Sequence, residues 1–387
     1  MENRQPTYPG RVKLTPVPGQ ENTYDMERAD EPTVEGTPLN KQTLLQDATC
    51  AILDIPNTSV PNDAFAKLAL GIGKYGYVIQ VQFTGGPPVE GATITGANAP
   101  DGGEAVTDAN GQAVVVSAEI SITIGVESPY IDIADASGVV IQSTGILTAQ
   151  TVTLEEKTQV QLNSSSQEIV SPFSDSIDFC AVAGGGAGGQ DYYQQHTGGN
   201  APFGGAGGET KNALGVAVPE DRILNILIGA GGEINSTVVG GTGSNGGNTT
   251  VTTSEGVVLV TATGGIGGKG TETPLAGGTL PIGNGNGYYK TSTTQYYATG
   301  STVHMFDDPS LTIPGGGGGN GGGYENPTIG GSPYGGNSAS SSANAGDGRG
   351  PGGGGGAGLS MSGRNFKPGN GANGTLFIRF HHLTAEK

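Results

Sequence analysis

The sequence has no tryptophan, and its 387 residues hold two cysteines, Cys50 and Cys180. Two cysteines so far apart are not a disulfide framework, and both are expected as free thiols, Cys180 buried in a strand. Charge is sparse at 13% and leans one way, with 17 basic against 35 acidic residues and a formal net charge of −18. No long segment is basic, so the electrostatic footprint of a nucleic-acid partner is missing. The chain also lacks apolar runs long enough to span a bilayer, and its opening "MENRQPTYPG" has no apolar signal region. Synthesis in the cytosol without membrane insertion is the expectation.

Motifs that carry chemistry are scarce too. GxGxxG strings occur, but with no βαβ context they follow from glycine content alone. "GGIGGKG" has no Ser or Thr after Lys269, and Thr263 stands where a phosphate loop needs its first glycine. His196, His304, His381 and His382 show no metal-ligand spacing. The adjacent pairs Glu220-Asp221 and Asp307-Asp308 point different ways, as turn residues do, and do not read as carboxylates flanking a glycosidic bond. No cofactor, metal or catalytic residue is expected. Asn57, Asn163, Asn235, Asn248 and Asn373 open glycosylation sequons, which carry no meaning in a product that stays in the cytosol.

What the chain has is glycine. Of 73 glycines, 16 precede Cys180 and the other 57 follow it. Three segments of different character result. Residues 1–76 are proline-rich and extended, with short helical stripes in "TPLNKQTLLQDATCAILDI" and "SVPNDAFAKLALGIG", too little to bury a core alone. Residues 77–160 alternate with period two, punctuated by turns such as Asp108-Ala109-Asn110-Gly111, the pattern of a small β-sandwich. In 161–387 apolar strands repeatedly run into glycine: "SIDFCAVAGGGAGG", "RILNILIGAGG", "GVVLVTATGGIGG" and, after two long runs, "GTLFIRF".

An isolated glycine run reads as flexible linker. Fixing glycine costs the most backbone entropy of any residue, so order requires that nearly every N–H and C=O find a partner. Side-by-side polyglycine-II helices, with three residues per turn, meet that demand, and the strands would set the runs parallel. Gly315 to Gly323 would then span about 28 Å at a rise of ~3.1 Å per residue. The fold class expected is mostly β and multidomain: an extended anchor with short helices, a sandwich spacer, and strands with packed polyglycine-II helices.

Pro88-Val89-Glu90-Gly91-Ala92-Thr93-Ile94 and Thr107 to Gly111 resemble the prealbumin-like or bacterial Ig-like modules, usually spacers. "DFCAVAGGGAGG", "LIGAGG", "TTVTTSEGVVLVTATGGIGG" and "GANGTLFIRF", in that order, resemble the glycine-rich C-terminal domain of phage tail-fibre and receptor-binding proteins. That likeness covers about residues 168 to 382. Tyr8-Pro9-Gly10-Arg11-Val12 and Gly36 to Lys41 are similar to the start of tail appendage proteins from phages of gut Firmicutes. The resemblances imply a virion tail protein that attaches to tail or baseplate proteins through its N-terminus, as a homotrimer. They imply a host-cell surface receptor, protein or glycan, at the other end.

Aromatic residues of the glycine-rich part cluster in polar stretches such as "DYYQQH", "NGYYK" and "TQYYATG". Tyrosine among Ser, Gly and Asn is the chemistry of binding loops. The candidate receptor-binding residues are Tyr192, Tyr193, His196, Tyr288, Tyr289, Tyr296, Tyr297, His304 and Phe306. A purely structural appendage and a host-glycan hydrolase are the alternatives weighed against this reading.

Overall fold

The computed structural model describes residues 47–71, 75–143, 148–192, 204–234, 241–268, 302–314, 343–361 and 364–382, with short pieces elsewhere at 5–6, 11–16, 18, 24–28, 32–34, 45, 289–290, 295–296, 335–336 and 339. The chain divides into two compact units, Met1–Glu127 with Ala136–Thr153, and Ser128–Asp135 with Leu154–Lys387. Strands dominate both, and the described residues hold two α-helices.

The first unit begins with strands β1 (Gln5–Pro6), β2 (Val12–Pro16), β3 (Tyr24–Arg28) and β4 (Pro32–Val34), paired β1 with β4 and β2 with β3. Helices Asp47–Leu53 and Pro61–Gly71 follow, closing a small cluster of Leu45, Cys50, Ile55 and Ala64. Pro61 opens its helix where no N–H is needed, and Asp63 reaches back to accept the Val60 N–H at 2.8 Å. The apolar side chains Phe65 and Leu68 of that helix are exposed.

Strands β5 (Tyr75–Phe83), β6 (Thr93–Asn98), β7 (Glu104–Val106), β8 (Gln112–Ser117), β9 (Ser121–Glu127), β10 (Ala136–Gln142) and β11 (Ala149–Leu154) bond into one sheet, in the order β10-β9-β6-β8-β5-β11 with β7 on β6. Burial alternates along β5, where Tyr77, Ile79, Val81 and Phe83 face inward. The Asp108 to Gly111 turn is built as its sequence predicts. Asp108 Oδ1 accepts the N–H groups of Asn110 and Gln112, each at 2.9 Å, and Gly111 sits at φ 71°.

The second unit rests on two four-stranded sheets. One joins β12 (Gln159–Leu162), β14 (Ser174–Val182), β16 (Thr210–Ala217) and β26 (Thr375–His382) in the order β12-β26-β14-β16. The other joins β13 (Ser166–Ile169), β17 (Ile223–Leu227), β18 (Thr249–Thr253) and β19 (Val258–Ala262) in that order. Ile177, Phe179, Leu376, Ile378 and Phe380 of the first sheet share one buried core with Leu224, Ile226, Val251, Val260 and Ala262 of the second.

Beyond the sheets the backbones of the described glycine segments bond to one another on a three-residue spacing. In segment 183–190, Gly184, Ala187 and Gln190 donate to Gly247, Ser244 and Gly241. Gly185 and Gly188 donate to Ala372 and Gly369, while Ala183 and Gly186 donate to Glu209 and Ala206. Its carbonyls receive the same treatment. Gly184 and Ala187 accept from Gly265 and Gly268, Gly186 and Gly189 from Gly355 and Gly358, and Gly185 from Gly232. Segment 183–190 therefore has six neighbours, and these bond to each other around it, as Gly205 to Gly355 and Ala372 to Gly353 do.

Such spacing leaves no room for side chains between segments. A Cβ on Gly354 would lie 2.7 Å from the Gly205 carbonyl carbon and closer still to its oxygen, and one on Gly185 or Gly371 meets similar backbone. Valine at 354 is expected to cost on the order of 3–5 kcal/mol, because backbone on both sides must separate. For a unit of this size that lowers the melting temperature by roughly 6–20 °C. Calorimetry of Gly354→Val checks it, and unchanged melting would mean the segments are not packed. Gly315 to Gly323, including Gly317, lie outside the described residues.

Candidate functional site

The direction of each glycine segment decides what lies at the end away from the sheets. Segments 183–190, 228–234 and 263–268 leave β14, β17 and β19, and segments 204–209, 241–248 and 367–374 return into β16, β18 and β26. The bonds agree with this: Gly184 pairs with Gly247 beside the strands, and Gln190 with Gly241 at the other end. All three outgoing segments therefore deliver the chain to one end. There β15 (Gln190–Tyr192), β24 (Gly358–Met361) and β25 (Arg364–Phe366) form a small sheet in which Tyr192 pairs with Ser360.

Tyr192 thus stands in the strand at that far end. Segment 263–268 ends with Gly268 bonded to Ala187, and the stretch that carries the tyrosine doublets follows it in sequence. In that stretch β20 (Tyr289–Lys290) and β21 (Gln295–Tyr296) pair antiparallel, with Tyr289 directly opposite Tyr296. The structure so brings one residue of each doublet together. Tyr193, His196, Tyr288 and Tyr297 lie outside the described residues.

The chain comes back at β22 (Thr302–His304), a tight 3-10 turn Met305–Asp307, and β23 (Thr312–Pro314), which cover the outer face of the first sheet. His304 is exposed, but Phe306 is buried at 3% and does not face solvent. Phe306 packs with Met305, Cys180 and Phe377, and the Arg379 guanidinium lies 4.5 Å over its ring. One amide holds the turn. Asn212 Nδ2 donates to the His304 carbonyl at 2.8 Å and to Asp307 at 2.6 Å, and Asn212 Oδ1 accepts the Phe306 N–H at 3.3 Å. Burial pushes the Cys180 thiol up to about 12, which keeps it protonated and unreactive.

Two carboxylates hold the end of β26. Asp178, 4% exposed, accepts from Arg379 Nε at 2.8 Å and Nη2 at 2.6 Å, has His381 Nε2 at 2.8 Å, and takes the Gly215 N–H at 2.7 Å. Burial raises its pKa, but the Gly215, His381 and Arg379 bonds together hold it below the usual carboxylate value. Asp132 is fully buried and accepts from Ser171 N–H at 2.9 Å, Ser171 Oγ at 2.6 Å and Ser174 Oγ at 2.8 Å. His382 lies between it and Glu156, with Nε2 3.3 Å from Asp132 and Nδ1 3.0 Å from Glu156. An acid flanked by apolar residues, as in "SIDFCAV" and "YIDI", is the signal by which Asp178 and Asp132 were detectable; Asn212 has none of that kind.

The adjacent acidic pairs serve turns. Asp308 Oδ1 accepts from the Ser310 N–H at 2.8 Å and its hydroxyl at 2.7 Å, and Asp221 accepts from Ile223 N–H at 3.2 Å and from the Ser254 hydroxyl. Among the described residues no group of His, Cys, Asp and Glu is arranged to hold a metal ion.

Residues 163–381, more than half of the sequence, match the glycine-rich domain family. The chain belongs to that family. No curated protein matches it. The glycine-rich domain so delimited takes in the bundle and the two four-stranded sheets apart from β12, which precedes it.

The pocket of charge at the end of that domain makes its stability depend on pH. Burial lowers the pKa of His382, but Asp132 and Glu156 outweigh it and raise the pKa above the usual imidazole value. Burial raises Asp132, but His382, Ser171 and Ser174 outweigh it and lower the pKa below 3.8. The histidine's contribution is complete below its unfolded value and fades as pH rises through the raised one. The aspartate's is complete above its unfolded value and fades in acid. Stability from this pair is therefore greatest between about pH 4 and pH 6.5. Denaturant melts from pH 4 to 9 are expected to show a decline on the alkaline side that His382→Gln removes; an equal decline in both proteins would locate it elsewhere.

Proposed function

We propose that this protein is a receptor-binding protein of a phage tail, anchored by its N-terminus and displaying tyrosine-bearing segments at the far end of its glycine-rich domain. The observation that carries the reading is the shared direction of the outgoing segments. A rigid backbone array that turns the chain around at one end is a support for loops, and loops on rigid supports are where recognition concentrates. In this reading the segments are polyglycine-II helices, for which the three-residue bonding period and the six-neighbour packing speak. Segment 183–190 then lifts the loops about 22 Å from the sheets, at a rise of ~3.1 Å per residue.

Residues 77–160 act as an Ig-like or prealbumin-like spacer. Residues 1–76 join tail or baseplate proteins and trimerise. What supports this is apolar surface left open: Val12, Leu14, Tyr24 and Met26 share one face of the β2–β3 ribbon, and Val60, Phe65 and Leu68 are exposed around the second helix. A two-stranded ribbon is marginal in water by itself, so a partner covering that face accounts for its composition.

Binding falls to Tyr192, Tyr193, His196, Tyr288, Tyr289, Tyr296 and Tyr297, while Phe306 and His304 belong to the turn that returns the chain to the sheets. A pocketed or stacked tyrosine carries about 1–3 kcal/mol, and several copies multiply the effect through avidity. Replacing Tyr288, Tyr289, Tyr296 and Tyr297 with Ser is expected to abolish adsorption to host cells with the melting temperature nearly unchanged. Adsorption that survives would remove these residues from the site and favour a structural appendage. A collapse in melting would make them core.

A further inference from the structure

Several asparagines of the glycine segments stand three residues apart: Asn245-Gly-Gly-Asn248, Asn370-Gly-Ala-Asn373 and, with an acid second, Asn344-Ala-Gly-Asp347. Each pair does the same thing. Asn245 and Asn248 Oδ1 accept the Gly267 and Gly264 N–H groups at 2.9 and 3.0 Å. Asn370 and Asn373 Oδ1 accept from Ile234 at 3.1 Å and Gly231 at 2.8 Å. Asn344 and Asp347 Oδ1 accept from Lys367 at 2.9 Å and Asn370 at 2.7 Å. In every pair the donors are also three residues apart, and all six acceptor side chains belong to exposed residues.

This spacing is that of the backbone bonds inside the bundle. Gly265 and Gly268 donate inward to the carbonyls of Gly184 and Ala187, while Gly264 and Gly267, one position earlier in each case, donate to side chains. A side-chain oxygen stands where the carbonyl of a further glycine segment would otherwise be. Without it, segment 263–268 would present a row of open N–H groups, the same hazard as an unprotected edge strand.

We propose that these asparagine pairs close the sides of the bundle, and that removing one opens an edge onto which a glycine segment from a second copy of this chain adds. A second copy fits because its own glycine segments offer carbonyls at the matching three-residue interval. The role asks for an acceptor and nothing else, so aspartate serves as well as asparagine, as Asp347 already does. The sequons at Asn248 and Asn373 are thereby accounted for as structural caps.

The test compares the full chain carrying Asn245→Ala/Asn248→Ala with the same chain carrying Asn245→Asp/Asn248→Asp, at pH 7. The alanine form is expected to melt lower and to show, in sedimentation velocity, concentration-dependent association beyond the state of the parent, with apparent self-affinity raised about tenfold or more. The aspartate form is expected to match the parent in both. Should the double alanine form fail to fold, Asn245→Ala alone leaves one cap in place and is read by the same measurement. Parent-like sedimentation of a folded alanine form overturns the proposal. So does equal association of the alanine and aspartate forms, which would show that the oxygen is not what closes the edge.

Discussion

The lateral backbone hydrogen bond, repeated every third residue, is the interaction on which the glycine-rich domain depends. Glycine gives up the most conformational entropy on ordering and offers no side chain to bury in return. Only the backbone's own donors and acceptors offset that loss. Segment 183–190 shows how completely they are engaged, with N–H groups directed to three returning segments and carbonyls receiving from segments 228–234, 263–268 and 353–358. At most of the glycines the same closeness forbids a larger residue, since a Cβ there would overlap a neighbouring carbonyl. Composition and packing are thus two sides of one constraint.

That array cannot align itself, and the two sheets do it. Each outgoing segment continues a strand whose position is fixed by the shared core of Phe179, Leu224, Val251 and Ile378. Strands β14 and β26 run antiparallel through the middle of their sheet, and the charge cluster of Asp178, Arg379 and His381 ties their outer faces. Above it the Arg379 guanidinium covers Phe306, so the segment that carries the tyrosine doublets returns to a rigid point. Strand register, glycine register and loop position follow in that order.

Much of this was legible in the sequence, and the reasons are local. "SIDFCAV", "VVLVT" and "TLFIRF" announce strands through β-branched and apolar content, and Asp108 to Gly111 announces its turn through side chains that bond their own backbone. The glycine runs following those strands pointed to an ordered array because they recur. Burial of Phe306 was not legible: "VHMFDD" reads as a polar loop, and what makes Phe306 core is a left-handed φ of 55° and an arginine from the far end of the chain. The asparagine caps were hidden for a different reason. Their three-residue spacing gains meaning only when the backbone period is known, and until then Asn248 and Asn373 read as sequons. The tyrosine positions were chosen by composition, and only the facing of Tyr289 and Tyr296 adds geometry to it.

Amide hydrogen exchange in the central glycine segment tests the account most directly. If residues 183–190 are bonded on all sides, the amides of Gly184, Gly185, Gly186 and Gly188 will exchange as slowly as those of Phe179 and Ala181 in the strand before them, opening only when the whole domain unfolds. Exchange of these glycine amides at the rate of an unstructured peptide, beside a protected β14, would contradict it.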